Sequence, residues 1–239
     1  MLSKLNIQNV LFLDIETVPQ HPDYDGLDET ARKLWEHKAK TLSKGEKTGD
    51  EIYQQAGIYA EFGKIVCISV GYIKLDGDQR EFRSRSFFGD DETKLLLDLA
   101  DMLNTYFYKP QHLLCAHNGK EFDFPYIARR MIINSVKIPR ILHISGLKPW
   151  EIQHLDTMEL WKFGDWKSYT SISLLAHVLG ISTPKDDIDG SDVARVYYEE
   201  NDLGRIEKYC RKDTLTVAQV LLKMKGETLL SEDEIIDIT

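Results

Sequence analysis

A chain of 239 residues, 42% hydrophobic and 29% charged, can bury one sizeable core, so one large domain is expected rather than two small ones. No apolar run reaches membrane-spanning length and the opening Met1-Leu2-Ser3-Lys4 lacks the apolar region of a signal peptide, so a cytoplasmic protein with no membrane partner is expected. A formal net charge of −9 excludes a protein that grips nucleic acid through a broadly basic surface. A site that gathers carboxylates around cations is itself acidic, however, so net charge leaves a nucleic-acid substrate open.

The first predicted element is Val10-Leu11-Phe12-Leu13-Asp14-Ile15-Glu16-Thr17, an almost continuously apolar run that reads as a central strand buried on both faces. Residues 20–60 read as an insertion between the first two strands, with a helix over 28–40 capped by Asp28 and a turn-rich tip at 43–49. A β-branched strand is expected over 64–74 and a strand nearer an edge over 80–88. Gly89-Asp90-Asp91 then caps a helix over 92–106 whose inner face carries Leu95, Leu96, Leu99, Met102 and Leu103. A strand over 112–116 ends at the turn signal His117-Asn118-Gly119, and a helix follows over 124–133 with Pro125 in its first turn. Beyond it come an extended piece near 155–160, helices over 171–179 and 190–199, and a long closing helix over 203–223. The acidic tail 227–239, with its Ile235-Ile236 pair, is either loosely docked or a small interaction element. Strands first and helices later predict an α/β fold with a central mixed sheet flanked by helices.

Two carboxylates sit inside the first strand. Side chains alternate along a strand, so Asp14 and Glu16 leave the same face with Cα atoms roughly 6.5 Å apart. That spacing suits a pair of divalent cations, which take hard oxygen ligands; a strand end reaching solvent would also carry acids there. On the closing helix, Ile206, Tyr209, Asp213, Val217 and Val220 recur at spacings of three and four, which turns Asp213 toward the interior. A carboxylate so placed needs a cation, either a metal or a partner such as Arg211. Asp123 opens a helix and reads alone as an N-cap, and Tyr209 alone as an amphipathic core residue. Cys67, Cys115 and Cys210 cannot all pair and lack close metal-ligand spacing, so they read as reduced small hydrophobes.

Taken together, Asp14-Ile15-Glu16, Asn118-Gly119-Lys120-Glu121-Phe122-Asp123 and Tyr209-Cys210-Arg211-Lys212-Asp213 resemble, in order, the three motifs of the DEDD exonuclease superfamily. The tyrosine four residues before the last aspartate resembles the DEDDy branch; a histidine-type member would carry His at position 208, which here is Lys. Ala116-His117-Asn118, Asp156-Thr157-Met158-Glu159-Leu160 and Asp187-Ile188-Asp189-Gly190-Ser191 look most like the stand-alone bacterial exonucleases related to the proofreading domain of family B DNA polymerases. The resemblance runs from about Val10 to Leu222.

The resemblance implies an RNase H-like fold and a metal-dependent 3′-5′ exonuclease, a hydrolase that releases 5′-nucleoside monophosphates with two divalent cations, Mg²⁺ or Mn²⁺. By carry-over, Asp14, Glu16 and Asp213 hold one ion and Asp14 and Asp123 the second, while Tyr209 orients the attacking water. Thr17, His117 and Asn118 are candidates for the 3′-terminal nucleotide, and Phe122 or Phe124 for stacking on its base, although each phenylalanine reads equally as core. The exonuclease domain would span 1–226, including the 20–60 insertion, with 227–239 as a tail. The implied partner is the 3′ end of nucleic acid, expected to be single-stranded or frayed DNA in proofreading or repair; a polymerase or repair partner is left open. An RNA-directed 3′-5′ exoribonuclease and a catalytically inactive nucleic-acid-binding module remain alternatives. A glycosidase-type carboxylate pair would leave the Tyr209 and Asp213 motif without a role.

Overall fold

The computed structural model describes residues 2–77, 79–165, 169–182 and 188–238, so Asp187 of the motif quoted above lies outside the described residues. The architecture is α/β, with a mixed six-stranded sheet flanked by helices, as expected. Its strands are β1 (Val10–Pro19), β2 (Gly63–Asp76), β3 (Gln79–Phe88), β4 (Leu113–Ala116), β5 (Leu155–Asp156) and β6 (Ile235–Asp237). They lie in the order β5-β4-β1-β2-β3-β6, which puts β1 near the centre. β1, β2 and β3 form an antiparallel meander, whereas β4 runs parallel to β1, β5 to β4 and β6 to β3.

The alternation of β1 distributes its side chains between two layers. Leu11, Leu13 and Ile15 join a cluster with α2 (Glu92–Tyr106) and α3 (Asp123–Ile133), through residues such as Leu96, Leu99, Phe124 and Ile127. Val10 and Phe12 face the opposite way, against Val217, Ala218 and Leu221 of α7 (Leu203–Lys225). With both faces covered, the run is apolar throughout, apart from its two acids. A β-bulge between Glu16 and Thr17 lets Val66 and Cys67 of β2 both pack beneath α7 with Val18, Ile206 and Cys210. Bulges bend a strand and re-aim its side chains, and this one lies beside the acids.

Two helices begin at their expected caps. α1 (Glu29–Leu42) is capped by Asp28, which accepts from the Ala31 amide at 2.8 Å, and α2 by Asp91, which accepts from Lys94 at 3.0 Å. The expected extended piece over 155–160 is only the two residues of β5. Asp156 there accepts from the Met158 and Glu159 amides and starts α4 (Thr157–Lys162), a capping role the sequence reading overlooked. The expected helix over 190–199 also starts late. Ser191 turns back onto Asp189, so after α5 (Ile172–Val178) the next helical residues are α6 (Val193–Arg195), followed by a π turn over Val196–Glu200 that ends at left-handed Asn201. The tail is docked: β6 pairs with β3, and Arg80 grips Glu234 at 2.9 Å and the carbonyls of Thr228 and Leu229.

Residues 20–60 pack a cluster of their own around Trp35, with Leu27, Ala39, Ile52, Tyr53 and Ala56; the Trp35 indole donates to the Gly49 carbonyl. A buried ion pair then fastens the end of this segment to the sheet. Arg130 on α3 meets Glu92 on α2 at 2.5 Å and donates to the Ala60 carbonyl, and Glu92 also accepts from the Ile65 amide at 2.8 Å. Gly63 has no room for a side chain, since a Cβ would stand 2.3 Å from the Tyr126 hydroxyl. Removing one member of a buried pair leaves an uncompensated charge, so Arg130→Met is expected to lower the unfolding free energy by ~3–5 kcal/mol, and adding Glu92→Gln to recover part of it. Urea unfolding at neutral pH measures this; a loss of ~1 kcal/mol or less would mean the pair behaves as a surface bridge.

Candidate active site

Asp14 and Glu16 leave β1 on the α7 face, opposite Ser69 and Cys67 of β2. α7 is fixed over them by polar contacts as well as by packing. The Thr214 hydroxyl donates to the Ser69 carbonyl at 3.2 Å, and Ser86 on β3 donates to Glu207 at 2.7 Å. This docking turns Tyr209 and Asp213, one helical turn apart, toward the strand acids. Asp123 arrives from the start of α3. It is buried, the cap position belongs to Phe122, and its carboxylate accepts from the Ile15 amide, so it is no simple helix cap. All five residues line one cleft of about 820 Å³.

The electrostatics follow from burial. Desolvation, reinforced by the charges of Glu16, Asp213 and Asp123, holds the Asp14 carboxyl well above the ordinary range. Glu16 is likewise held above the ordinary range, by burial first and then by the charge of Asp213. Asp123 is pushed up to about 7, chiefly by burial. Burial and the neighbouring carboxylates also push the Tyr209 phenol upward; it hydrogen bonds to Asp213 and stays a proton donor across the working range.

One group of possible metal ligands includes Cys210, which reads in sequence as a small hydrophobe: ligand atoms of Asp14, Glu16 and Cys210 lie within 4.8 Å of one another, and Asp123 and Asp213 line the same cleft. All three cysteines are free and buried. Cys210 donates to the Asp14 carbonyl at 3.3 Å, and burial keeps its thiol protonated. Its position three residues before Asp213, on the same helical face, was the signal available.

The other predicted residues divide. Thr17, His117, Asn118 and Phe122 line the cleft. Phe124 does not: it is fully buried beneath Gly119 and meets the His154 ring edge-on at 5.3 Å, so it is core. His117 has both ring nitrogens engaged, with the Thr157 hydroxyl at 2.9 Å and the Thr170 carbonyl at 2.8 Å. Asn118 adopts φ of 63°, a left-handed conformation that Asn tolerates. Buried Asp156 holds this turn by accepting from the Asn118 and Lys120 amides at 3.0 and 3.1 Å. The Asn118 amide nitrogen reaches the Tyr169 hydroxyl, but its buried Oδ1 has no hydrogen-bond partner among the described residues. One cleft wall is built by Gln54, Gln55, Gly57 and Ile58 of the 20–60 segment, another by Ala194, Arg195 and Tyr198; neither was anticipated residue by residue.

Apart from one protonated thiol, this donor set is hard carboxylate oxygen, partly buried and mutually repelling. A divalent cation is the group whose charge and ligand preference such a set fits.

The family model that matches this chain describes the RNase H superfamily and covers residues 55–225, from the end of the 20–60 segment to the end of α7. It begins after the strand that carries Asp14 and Glu16. No curated protein matches the chain significantly. No helix among the described residues is long and apolar enough to cross a membrane. The match over most of the chain agrees with a mixed sheet flanked by helices, and the chain belongs to the RNase H superfamily.

Proposed function

We propose that this protein is a metal-dependent 3′-5′ exonuclease of the DEDDy type, which removes 5′-nucleoside monophosphates from the 3′ end of nucleic acid, DNA in the first instance. The observation that carries the reading is the convergence of Asp14, Glu16, Asp123 and Asp213 with Tyr209 in one open cleft. The working unit is taken as residues 1–226, with the 20–60 segment shaping access.

In this reading Asp14, Glu16 and Asp213 would hold one Mg²⁺ or Mn²⁺ ion, and Asp14 and Asp123 would hold the second. Bound divalent ions supply the positive charge that makes water acidic and offsets charge on the oxygens of an in-line displacement. The Tyr209 hydroxyl orients the attacking water. Water oxygen bonds to phosphorus, the bond from phosphorus to the 3′-oxygen breaks, and the shortened strand leaves with a 3′-hydroxyl. Asn118 lines the cleft, and a turn of its side chain would present the unpartnered Oδ1 as an acceptor to the terminal nucleotide. Phe122 offers a ring for its base, while His117 acts by holding the Asn118 turn.

Asp14→Ala or Asp213→Ala is expected to lower nuclease activity at least ~10³-fold with native circular dichroism. Digests of end-labelled DNA and RNA strands, free, 3′-blocked and circular, test polarity and sugar preference together. A folded, active Asp14→Ala protein overturns the assignment, and equal cutting of circles would make the enzyme an endonuclease.

Tyr209→Phe keeps the packed ring and loses only the hydroxyl, so kcat is expected to fall ~10–10³-fold with metal affinity little changed. A parallel loss of metal binding by calorimetry would reassign Tyr209 as part of the ion site.

The raised carboxyls also predict a pH dependence. Asp123, with a folded value of about 7 against an ordinary 3.8, contributes stability that is complete below the ordinary value and lost as pH rises through about 7. In EDTA the melting temperature should therefore fall between pH 5 and 8. Ions bind the deprotonated acids, so Mg²⁺ or Mn²⁺ at 100 times Kd should restore ~2.7 kcal/mol per site, a rise of roughly 5–10 °C. An equal rise in Asp14→Asn/Asp213→Asn would expose nonspecific ion binding.

A further inference from the structure

A second cleft, of about 800 Å³, opens at the other end of β4, between the link from α2 to β4 and the segment 137–154. His112 lines this cleft and His117 the acidic one, five residues apart across that strand, so at ~3.3 Å per residue their Cα atoms stand ~16 Å apart. They share no lining residue.

Its charge is opposite to that of the protein. Against −9 overall, residues 106–114 and 136–154 carry Lys109, Lys137, Arg140 and Lys148 and the single carboxylate Glu151. Most arginines here are neutralised, as in Arg80 with Glu234 or Arg83 with Glu81. Lys109, Lys137 and Arg140 line the cleft exposed, with no carboxylate partner among the described residues; Arg140 donates only to the Tyr108 carbonyl, at 3.2 Å. Glu151 faces the same cleft and accepts from the Lys148 amide at 2.8 Å.

Two exposed rings accompany these cations, Tyr108 within the cleft lining and Trp150 on the adjoining segment outside it. Tyr108 in the cleft is 53% exposed, and Trp150, next to Glu151, is 76% exposed with the Lys148 ammonium 5.3 Å from its ring centre. Scattered exposed apolar residues need no explanation, but two rings interleaved with a like-charged cluster do. Cations take phosphates and open rings take unstacked bases, which is how single strands are held without sequence preference. A duplex offers its bases only at their edges, so it would leave the rings unused.

We propose that this cleft is a second nucleic-acid site, which holds a single strand upstream of its 3′ end through phosphate contacts from Lys109, Lys137 and Arg140 and stacking on Tyr108 and Trp150. The choice of nucleic acid over another polyanion rests on the nuclease reading. Substrates that span the two clefts use both sites, and a single nucleotide ester uses the carboxylate cleft alone.

The test uses the full chain, the triple variant Lys109→Ala/Lys137→Ala/Arg140→Ala, and Trp150→Ala. Binding of a fluorescent oligothymidylate of about 20 nucleotides is measured in EDTA across salt concentrations, and hydrolysis of thymidine 5′-(p-nitrophenyl phosphate) with Mn²⁺. The triple variant should bind the strand at least ~10-fold more weakly, with the slope of log K against log salt reduced by ~2. Trp150→Ala should weaken binding ~5–100-fold. Ester turnover should stay unchanged in both. If the ester is not hydrolysed by the wild type while strand binding still drops in the variants, the nuclease reading fails and the second site stands. Strand binding unchanged in the triple variant overturns the proposal. So does a wild type that ignores the strand but binds a polyglutamate peptide through these cations, which would make the cleft a protein-docking site.

Discussion

Four acids crowded into one partly desolvated cleft are the arrangement around which this fold is built. Like charges taken out of water repel one another and resist ionisation, and the Asp14 and Glu16 carboxyls are both held above their ordinary range. Such a cluster persists only if its carriers cannot move apart. Each carrier is accordingly anchored away from the acids: β1 by pairing on both sides, α7 by apolar packing and its bonds to Ser69 and Ser86, and α3 by the Arg130 and Glu92 pair.

The same anchoring gives the cleft its shape. The bulge beside Glu16 brings both Val66 and Cys67 under α7, and the Arg130 network ties the end of the 20–60 segment to the core. That segment thereby stands as a wall of the acid cleft while keeping its own cluster around Trp35. Asp156 performs the equivalent task opposite, holding the left-handed turn at Asn118, a cleft residue whose buried Oδ1 has no partner among the described residues. Strain and open hydrogen-bonding capacity of this kind gather where a ligand completes them.

The two clefts also divide the chain's charge. Acids gather at the C-terminal end of β4, and lysines and an arginine with no carboxylate partner among the described residues gather at its N-terminal end. Net charge averages over both and hides each, so a chain of −9 still presents a face suited to a polyanion.

Patterns that depend on near neighbours were legible in the sequence. Two-residue alternation put Asp14 and Glu16 on one face, a three-and-four spacing turned Tyr209 and Asp213 inward, and short polar side chains marked the starts of α1 and α2. These follow from the periods of strand and helix, which any local window carries. What required the tertiary structure was every contact between distant segments. Phe124 and Phe122 look alike in sequence, yet Phe124 lies under Gly119 and Phe122 borders the cleft, because α3 enters the core at that point. Cys210 read as a small hydrophobe until α7 docked its thiol on the Asp14 carbonyl. Asp156, His117 and the wall from residues 54–58 gained their roles in the same way. A side chain's partners are decided by how layers pack, and no local period encodes which strand a helix will cross.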